Sequence, residues 1–278
     1  MPRKIKVIKK KSHEKKKDPL AQEKLLWTIG HSMMLVLGLI FSITYFYHAI
    51  LFFKYRDIKW LFLKSKSEYS IVTGTRWFHK LLKWAPQILY RLALVGGVLA
   101  YSTTMKQNCK GWSPTWYDLL SSENFQTLMI VLLWLFTFGK SFYRILPLMA
   151  NSLIHLMNKK YEMTNEVDDK LNSDVARKHS KILKLIAYSE VFLMITLFLD
   201  TFLMKYGTAG VSLILYLGIF WLRLIYSPYL QFTVLSILIK MDKVVPKSKK
   251  KQWEKLKTFL KENREKREKR QEAYKATA

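Results

Sequence analysis

The sequence predicts an all-α, multi-pass integral membrane protein with about four crossings, and three observations predict it. Half of the 278 residues are apolar and 14% are aromatic, yet the formal net charge is +27. Grease and charge fall in different segments: residues 1–24 hold ten Lys/Arg against three acids, and 240–278 hold fifteen against six. Between these ends run apolar stretches long enough to cross a hydrocarbon core of ~30 Å, which takes ~20 helical residues. Uncharged spans bracketed by lysine blocks belong to a chain threaded through a bilayer.

The first element, 1–24, is a basic tail assigned to the cytosol. The second, 25–53, is a run of 29 residues without Asp, Glu, Lys or Arg, too long for a signal-peptide core and with no small-residue cleavage site after it. Both of its flanks are basic, so a simple crossing would leave one positive block in the lumen. It therefore either enters and leaves on the cytosolic side, as a re-entrant hairpin or oblique wedge with Gly30 and Gly38 easing a bend, or it crosses against the charge rule. The hairpin or wedge is the reading adopted. The third element, 54–84, is a basic loop with eight Lys/Arg against Asp57 and Glu68.

A four-helix membrane domain follows over 85–240. Its apolar runs are 85–105, 124–158, 182–204 and 208–239, interrupted by Arg91, by Lys140 and Arg144, and by Arg223. The segment 106–123 is neutral and the turn near Lys205 carries one lysine, so both are assigned to the lumen. The loop 54–84 and both tails go to the cytosol. The stretch 139–160 reads as an amphipathic continuation near the cytosolic interface, where Lys140 and Arg144 snorkel and Pro147 permits a kink.

Element 241–278 is a basic amphipathic tail. Trp253, Leu256, Phe259 and Leu260 stand at i, i+3, i+6 and i+7, an arc of ~120° at ~100° per residue. Lysines fill much of the rest. Such a helix lies on an anionic lipid surface with the four apolar residues as its membrane edge, and Lys249, Lys250, Lys251, Lys255 and Lys257 form a basic surface for a partner. Nucleic acid is a poor alternative, because no zinc-ligand spacing or nucleic-acid-binding motif accompanies the lysines.

Glu190 stands out in "ILKLIAYSEVFLM" (182–194), since a charged carboxylate is costly in a bilayer. Counted at 1.5 Å per residue, Glu190 lies roughly 8–12 Å below the cytosolic face, Arg223 ~8 Å and Arg91 ~9 Å. The matching depths predict an intramembrane ion pair of Glu190 with Arg223 or, failing that, Arg91. Asp200 counts to the lumenal edge, with nothing between to continue an ion path. His31, His48, His79, His155 and His179 are scattered without metal-ligand spacing, Cys109 is the lone cysteine, and no phosphate-binding glycine loop occurs. The residues argue against an enzyme and call for no metal or cofactor.

The run at 182–194, followed by "LILYLGIFWLRLIYSPY" (213–229), resembles the transmembrane protein 33 family, whose fungal members are pore-membrane proteins of the endoplasmic reticulum and nuclear envelope. The similarity is best over 178–229 and extends through "LPLMANSLIHLMN". It implies a non-catalytic protein that shapes these membranes with reticulon-type proteins and nucleoporins and helps nuclear pore complexes assemble and distribute. For the tail it implies lipid binding and reading by an import karyopherin. The rival classes are a multi-pass transporter or lipid-handling enzyme using Glu190 and Arg91, and a translocon-associated helper.

Overall fold

A computed structural model describes residues 20–55, 75–110, 113–137, 139–159, 177–204, 207–243 and 245–277. The described chain is helical: α1 (Ala21–Tyr55), α2 (Trp77–Asn108), α3 (Trp116–Ser121), α4 (Glu123–Phe136), α5 (Phe142–Met157), α6 (Ser180–Phe202), α7 (Ala209–Tyr226), α8 (Pro228–Met241), a 3-10 turn at Lys247–Lys249, and α9 (Lys250–Thr277). Four stretches are long and apolar enough to cross a membrane: Ala21–Tyr47, Lys83–Asn108, Ser180–Phe202 and Ala209–Tyr226. The protein is thus an all-α, multi-pass membrane protein. Its four long spans, however, are not the four that the sequence nominates.

The first difference is α1. Residues 25–53 form one uninterrupted helix rather than a hairpin. Gly30 does not bend it. A Cβ on Gly30 would lie 2.7 Å from the backbone of both Gly96 and Ala100, so this glycine is where α1 and α2 touch backbone to backbone. Gly96 and Ala100, four apart on α2, complete a small-residue seam of the kind that lets membrane helices approach closely. The seam runs antiparallel, from Glu23 beside Lys106 (3.1 Å) to Phe41 against Tyr90 (ring centroids 5.0 Å).

The second difference is the run 124–158, which is two helices. Thr137 takes an extended conformation and ends α4, and Gly139 lies so close to the Arg144 guanidinium that a Cβ there would collide with it. The α5 helix continues through Pro147 with no break and packs between α1 and α6. It is therefore no interfacial continuation. The run 208–239 also divides, at Ser227–Pro228. The residue before a proline is driven out of the α region, and Ser227 accordingly sits at φ −92°, ψ 117°, with Pro228 opening α8.

Successive contacts fix which way each helix runs. Phe46 meets Phe142 (4.6 Å between rings) and His31 meets Ser152 (3.1 Å), so α5 is antiparallel to α1. His179 lies 3.3 Å from Asn158 and Asp200 3.8 Å from Arg144, so α6 is antiparallel to α5. Arg223 lies 3.0 Å from Glu190 and Gly210 abuts Thr201, so α7 returns along α6. One end of the bundle thus gathers the start of α1, the ends of α2, α5 and α7, and the start of α6. The other gathers Tyr55, Trp77, the start of α5 and the turn between α6 and α7.

This order corrects the assignment that put the 54–84 loop in one compartment with both tails. The ends of that loop, Tyr55 and Trp77, are at the end opposite the start of α1 and the α7–α8 junction. Likewise 106–123 joins the bundle at the end where α1 starts, not at the end of the α6–α7 turn. Most of the loop itself lies outside the described residues, as do 1–19 of the first tail and Lys205.

Burial follows lipid logic. Trp134, Leu148, Leu193, Leu197 and Tyr216 are sealed between helices, whereas Ile43, Phe192, Phe198, Ile214 and Leu215 are half or more exposed on the outside. Outward apolar faces of this extent mark a surface whose solvent is hydrocarbon.

Candidate intramembrane ion pairs and docked tail

Midway along α6, the Glu190 carboxylate turns inward and meets Arg223 of α7, with Nη2 to Oε1 at 3.0 Å and both side chains over nine-tenths buried. The Tyr216 hydroxyl, about two turns before Arg223 on α7, donates to the Glu190 backbone carbonyl at 3.4 Å. Of the three charges matched by depth, the structure brings these two together. Arg91 is not with them: it is on the exposed face of α2. Its depth had been counted from the wrong end, because the start of α2 is at the end of the bundle opposite the start of α6.

A second buried pair escaped the sequence reading. Arg144, 1% exposed, has Nη2 3.8 Å from Oδ2 of Asp200, and Nη1 donates to the Gly139 carbonyl at 2.7 Å. Its guanidinium lies 4.7 Å from the centre of the Trp134 ring, a cation–π contact of the kind favoured once the cation is desolvated. Trp134 in turn packs on Tyr216 at 5.5 Å, so α4 separates the two ion pairs with an aromatic layer. The signal was present in the sequence as Arg144 and Asp200, but Arg144 had been placed at the cytosolic interface and Asp200 at the lumenal edge. What the pairs do is bind helix to helix, α6 to α7 at one level and α5 to α6 at another. An unpaired buried charge costs more than the pair gains, which makes each pair a register pin.

A third polar cluster joins α1, α2 and α5. His31, fully buried, has Nδ1 3.1 Å from the Ser152 hydroxyl and its ring between Trp27, Tyr101 and His155 at centroid distances of 4.6, 5.4 and 4.6 Å. Among the described residues no group of three or more His, Cys, Asp and Glu is arranged to hold a metal ion.

The tail site takes a form that the sequence pattern did not reveal. The α9 helix folds back on α8 and the end of α7. Leu260 is 2% exposed, Trp253 and Leu256 pack against the core, and Phe259 stacks on Trp221 with ring centroids 5.7 Å apart and planes 13° from parallel. The residues expected to form a membrane edge are therefore seated on the protein's own surface, with Phe259 the most exposed of them at 36%. Asp242, just past α8, holds the helix there: it accepts from Trp253 Nε1 at 2.7 Å and from Lys257 Nζ at 2.8 and 2.9 Å. Glu254 also meets Lys257, at 2.8 Å. These hydrogen bonds, that from Lys257 first, hold the Asp242 carboxyl below the ordinary aspartate range and raise the Lys257 ammonium above its own. Of the five lysines expected to face a partner, Lys257 is thus turned inward, while Lys249, Lys250, Lys251 and Lys255 are exposed.

Comparison with known proteins gives the chain a family. The family model described as transmembrane protein 33/nucleoporin POM33 matches residues 69–253, from within the first loop to the start of α9. A Saccharomyces cerevisiae protein described as the uncharacterized membrane protein YGR026W is 50% identical over 274 residues, covering 98% of each chain. No solved structure matches. With two thirds of its length under one family model and a relative this similar end to end, the chain belongs to the transmembrane protein 33/nucleoporin POM33 family.

Proposed function

We propose that the protein is a non-catalytic membrane-shaping scaffold of the endoplasmic reticulum and nuclear envelope that contributes to the assembly and distribution of nuclear pore complexes. Family membership supports the location, and the nucleoporin in the family description supports the link to pores. The observation that carries the shaping role is α8. It is 14 residues long, ~21 Å at 1.5 Å per residue, too short to cross a ~30 Å core. Its inward face carries apolar and polar groups together, with Leu230 and Leu238 buried. Gln231 and Thr233 are buried, with Gln231 donating to the Ile225 carbonyl at 2.9 Å, while Phe232 and Ile239 are about half exposed. The exposed Phe232 and Ile239, on a helix too short to span, form the apolar face that it offers to lipid. The roof over it, α9, shows water its charged groups instead.

The lipid–water boundary then falls between α8 and α9. The α8 helix is a shallow wedge in the leaflet at the end of the bundle where α1 starts, assigned here to the cytosol. A wedge in one leaflet expands that leaflet and bends the sheet. The exposed Lys249, Lys250, Lys251 and Lys255 support a water-facing ridge for anionic headgroups or an import karyopherin, and the outward apolar faces of the bundle offer contact to reticulon-type membrane proteins.

The test is curvature sorting of the reconstituted full chain. Labelled protein in giant vesicles should enrich several-fold in a pulled narrow tube relative to the flat membrane, and Phe232→Ser with Ile239→Ser should lose the enrichment while keeping its thermal transition. Equal density of the native protein on tube and flat membrane would remove the shaping role.

A further inference from the structure

The apolar edge of α9 has two possible seats, the protein and lipid, and the structure shows it on the first. We propose that Asp242 is a latch that withholds this edge from lipid, so that a break in its contacts with Lys257 and Trp253 frees Trp253, Leu256, Phe259 and Leu260 to dock on a second, anionic membrane surface. The proposal rests on the reading that α8 lies in the leaflet, and stands whether or not α8 bends it.

Contacts that hold α9 concentrate near its start. One carboxylate takes three hydrogen bonds, two from Lys257 and one from Trp253. Beside it are the burial of Leu260, the packing of Trp253 and Leu256 against the core, and the stack of Phe259 on Trp221. Lys251, Lys255, Lys261 and Lys266 are exposed along the helix. Asp242 is the acid on the bundle side of this interface, since Glu254 lies on α9 and moves with Lys257. Removal of its charge therefore weakens or removes these three hydrogen bonds between the helix and the bundle.

The freed helix has a complementary partner. Its edge covers an arc of ~120° and the remainder is rich in lysine and arginine, which suits an interface of acyl chains and anionic headgroups. The segment 243–249, between the latch and the helix, holds Lys243, Lys247 and Lys249 and no acid, so headgroup attraction continues up to the hinge. The lipid seat is a second bilayer rather than the host leaflet, because the undocked helix starts above α8 on the water side.

The full chain in nanodiscs decides this. Hydrogen exchange over 253–264 reports docking, and capture of phosphatidylcholine–phosphatidylserine vesicles reports the second seat. The native protein should show slow exchange and low capture. Asp242→Asn should exchange faster and capture several-fold more vesicles, Asp242→Glu should resemble the native protein, and Asp242→Lys with Lys257→Asp should restore protection. In the Asn background, Leu256→Asp with Leu260→Asp should abolish capture. Unchanged exchange and capture in Asp242→Asn would overturn the latch, and faster exchange without added capture would overturn lipid as the withheld partner.

Discussion

At the scale of single residues, the membrane domain is held by charges where charge is costly. Glu190 and Arg223 neutralise each other at 3.0 Å, and loss of either leaves the other alone in a low-dielectric core. Glu190→Gln or Arg223→Met should therefore destabilise the protein by about 3–5 kcal/mol, read as a lower thermal midpoint in detergent micelles. The exchange Glu190→Arg with Arg223→Glu should recover much of that loss, and no recovery would show that the pair does not set register. Gly139→Ala should be harmful for a different reason, because its methyl group would fall on the Arg144 guanidinium and separate it from Asp200. A fall in midpoint comparable to that of Asp200→Asn is expected. The first pair was legible in the sequence because depth counted along two antiparallel helices converges wherever they are joined by a short turn. The second was not. Arg144 reads from the sequence as a snorkelling residue of an interfacial stretch, whereas α5 is a buried helix of the bundle and carries Arg144 inside it.

At the scale of elements, hydrophobic pattern specified which residues share a face but not what the face meets. The arc formed by Trp253, Leu256, Phe259 and Leu260 was readable from spacing, yet an arc of that width suits the flank of α8 as well as it suits lipid. The same ambiguity hid the break at Ser227–Pro228, where the apolar run is continuous but the backbone preference of a residue before proline is not. Docking of α9 by Asp242 carries a pH dependence with a definite sign. Asp242 has its folded pKa lowered, so its contribution is present above the ordinary aspartate range and fades as pH falls through the folded value. Lys257 has its folded pKa raised, so its contribution is complete below the ordinary lysine range and fades as pH rises through the folded value. Protection of α9 amides, after correction for intrinsic exchange, should thus be flat through neutrality and fall at both extremes. A change centred near neutral pH would point to a histidine and away from this pair. The α1–α2 seam makes a steric prediction instead. Gly96→Val places a Cβ 2.8 Å from the Gly30 carbonyl and 2.6 Å from the Met33 side chain, and should cost roughly 1–3 kcal/mol as an overpacked contact, measured by the same midpoint.

At the scale of the whole molecule, the question is which charged segments share a compartment. Counting charge gave an ambiguous answer because the chain is basic on both sides: 54–84 carries a net +6, against +7 for 1–24 and +9 for 240–278. The positive-inside rule ranks the two ends but does not forbid a basic loop on the poorer one. Helix continuity resolves what charge could not. An uninterrupted helix of 35 residues is ~52 Å long at 1.5 Å per residue, so it carries the chain from one end of the bundle to the other and has no turn by which to come back. Its antiparallel seam with α2, traced from Glu23–Lys106 to Phe41–Tyr90, then directs Tyr55 and Trp77 to that second end, while α7 delivers the C-terminal helices to the first. Cysteines introduced singly at Thr75 and Ser248, both exposed, on a Cys109→Ser background should report this directly in sealed microsomes. Ser248→Cys should react with an impermeant maleimide from one side, and Thr75→Cys should react only after the membrane is opened, or the reverse if the bundle is inserted the other way. Either outcome preserves the opposition of the two sites. Reaction of both from the same side would mean that α1 and α2 do not both cross, and the antiparallel order traced through Glu23–Lys106, Phe41–Tyr90 and His31–Ser152 would not describe the protein in its membrane.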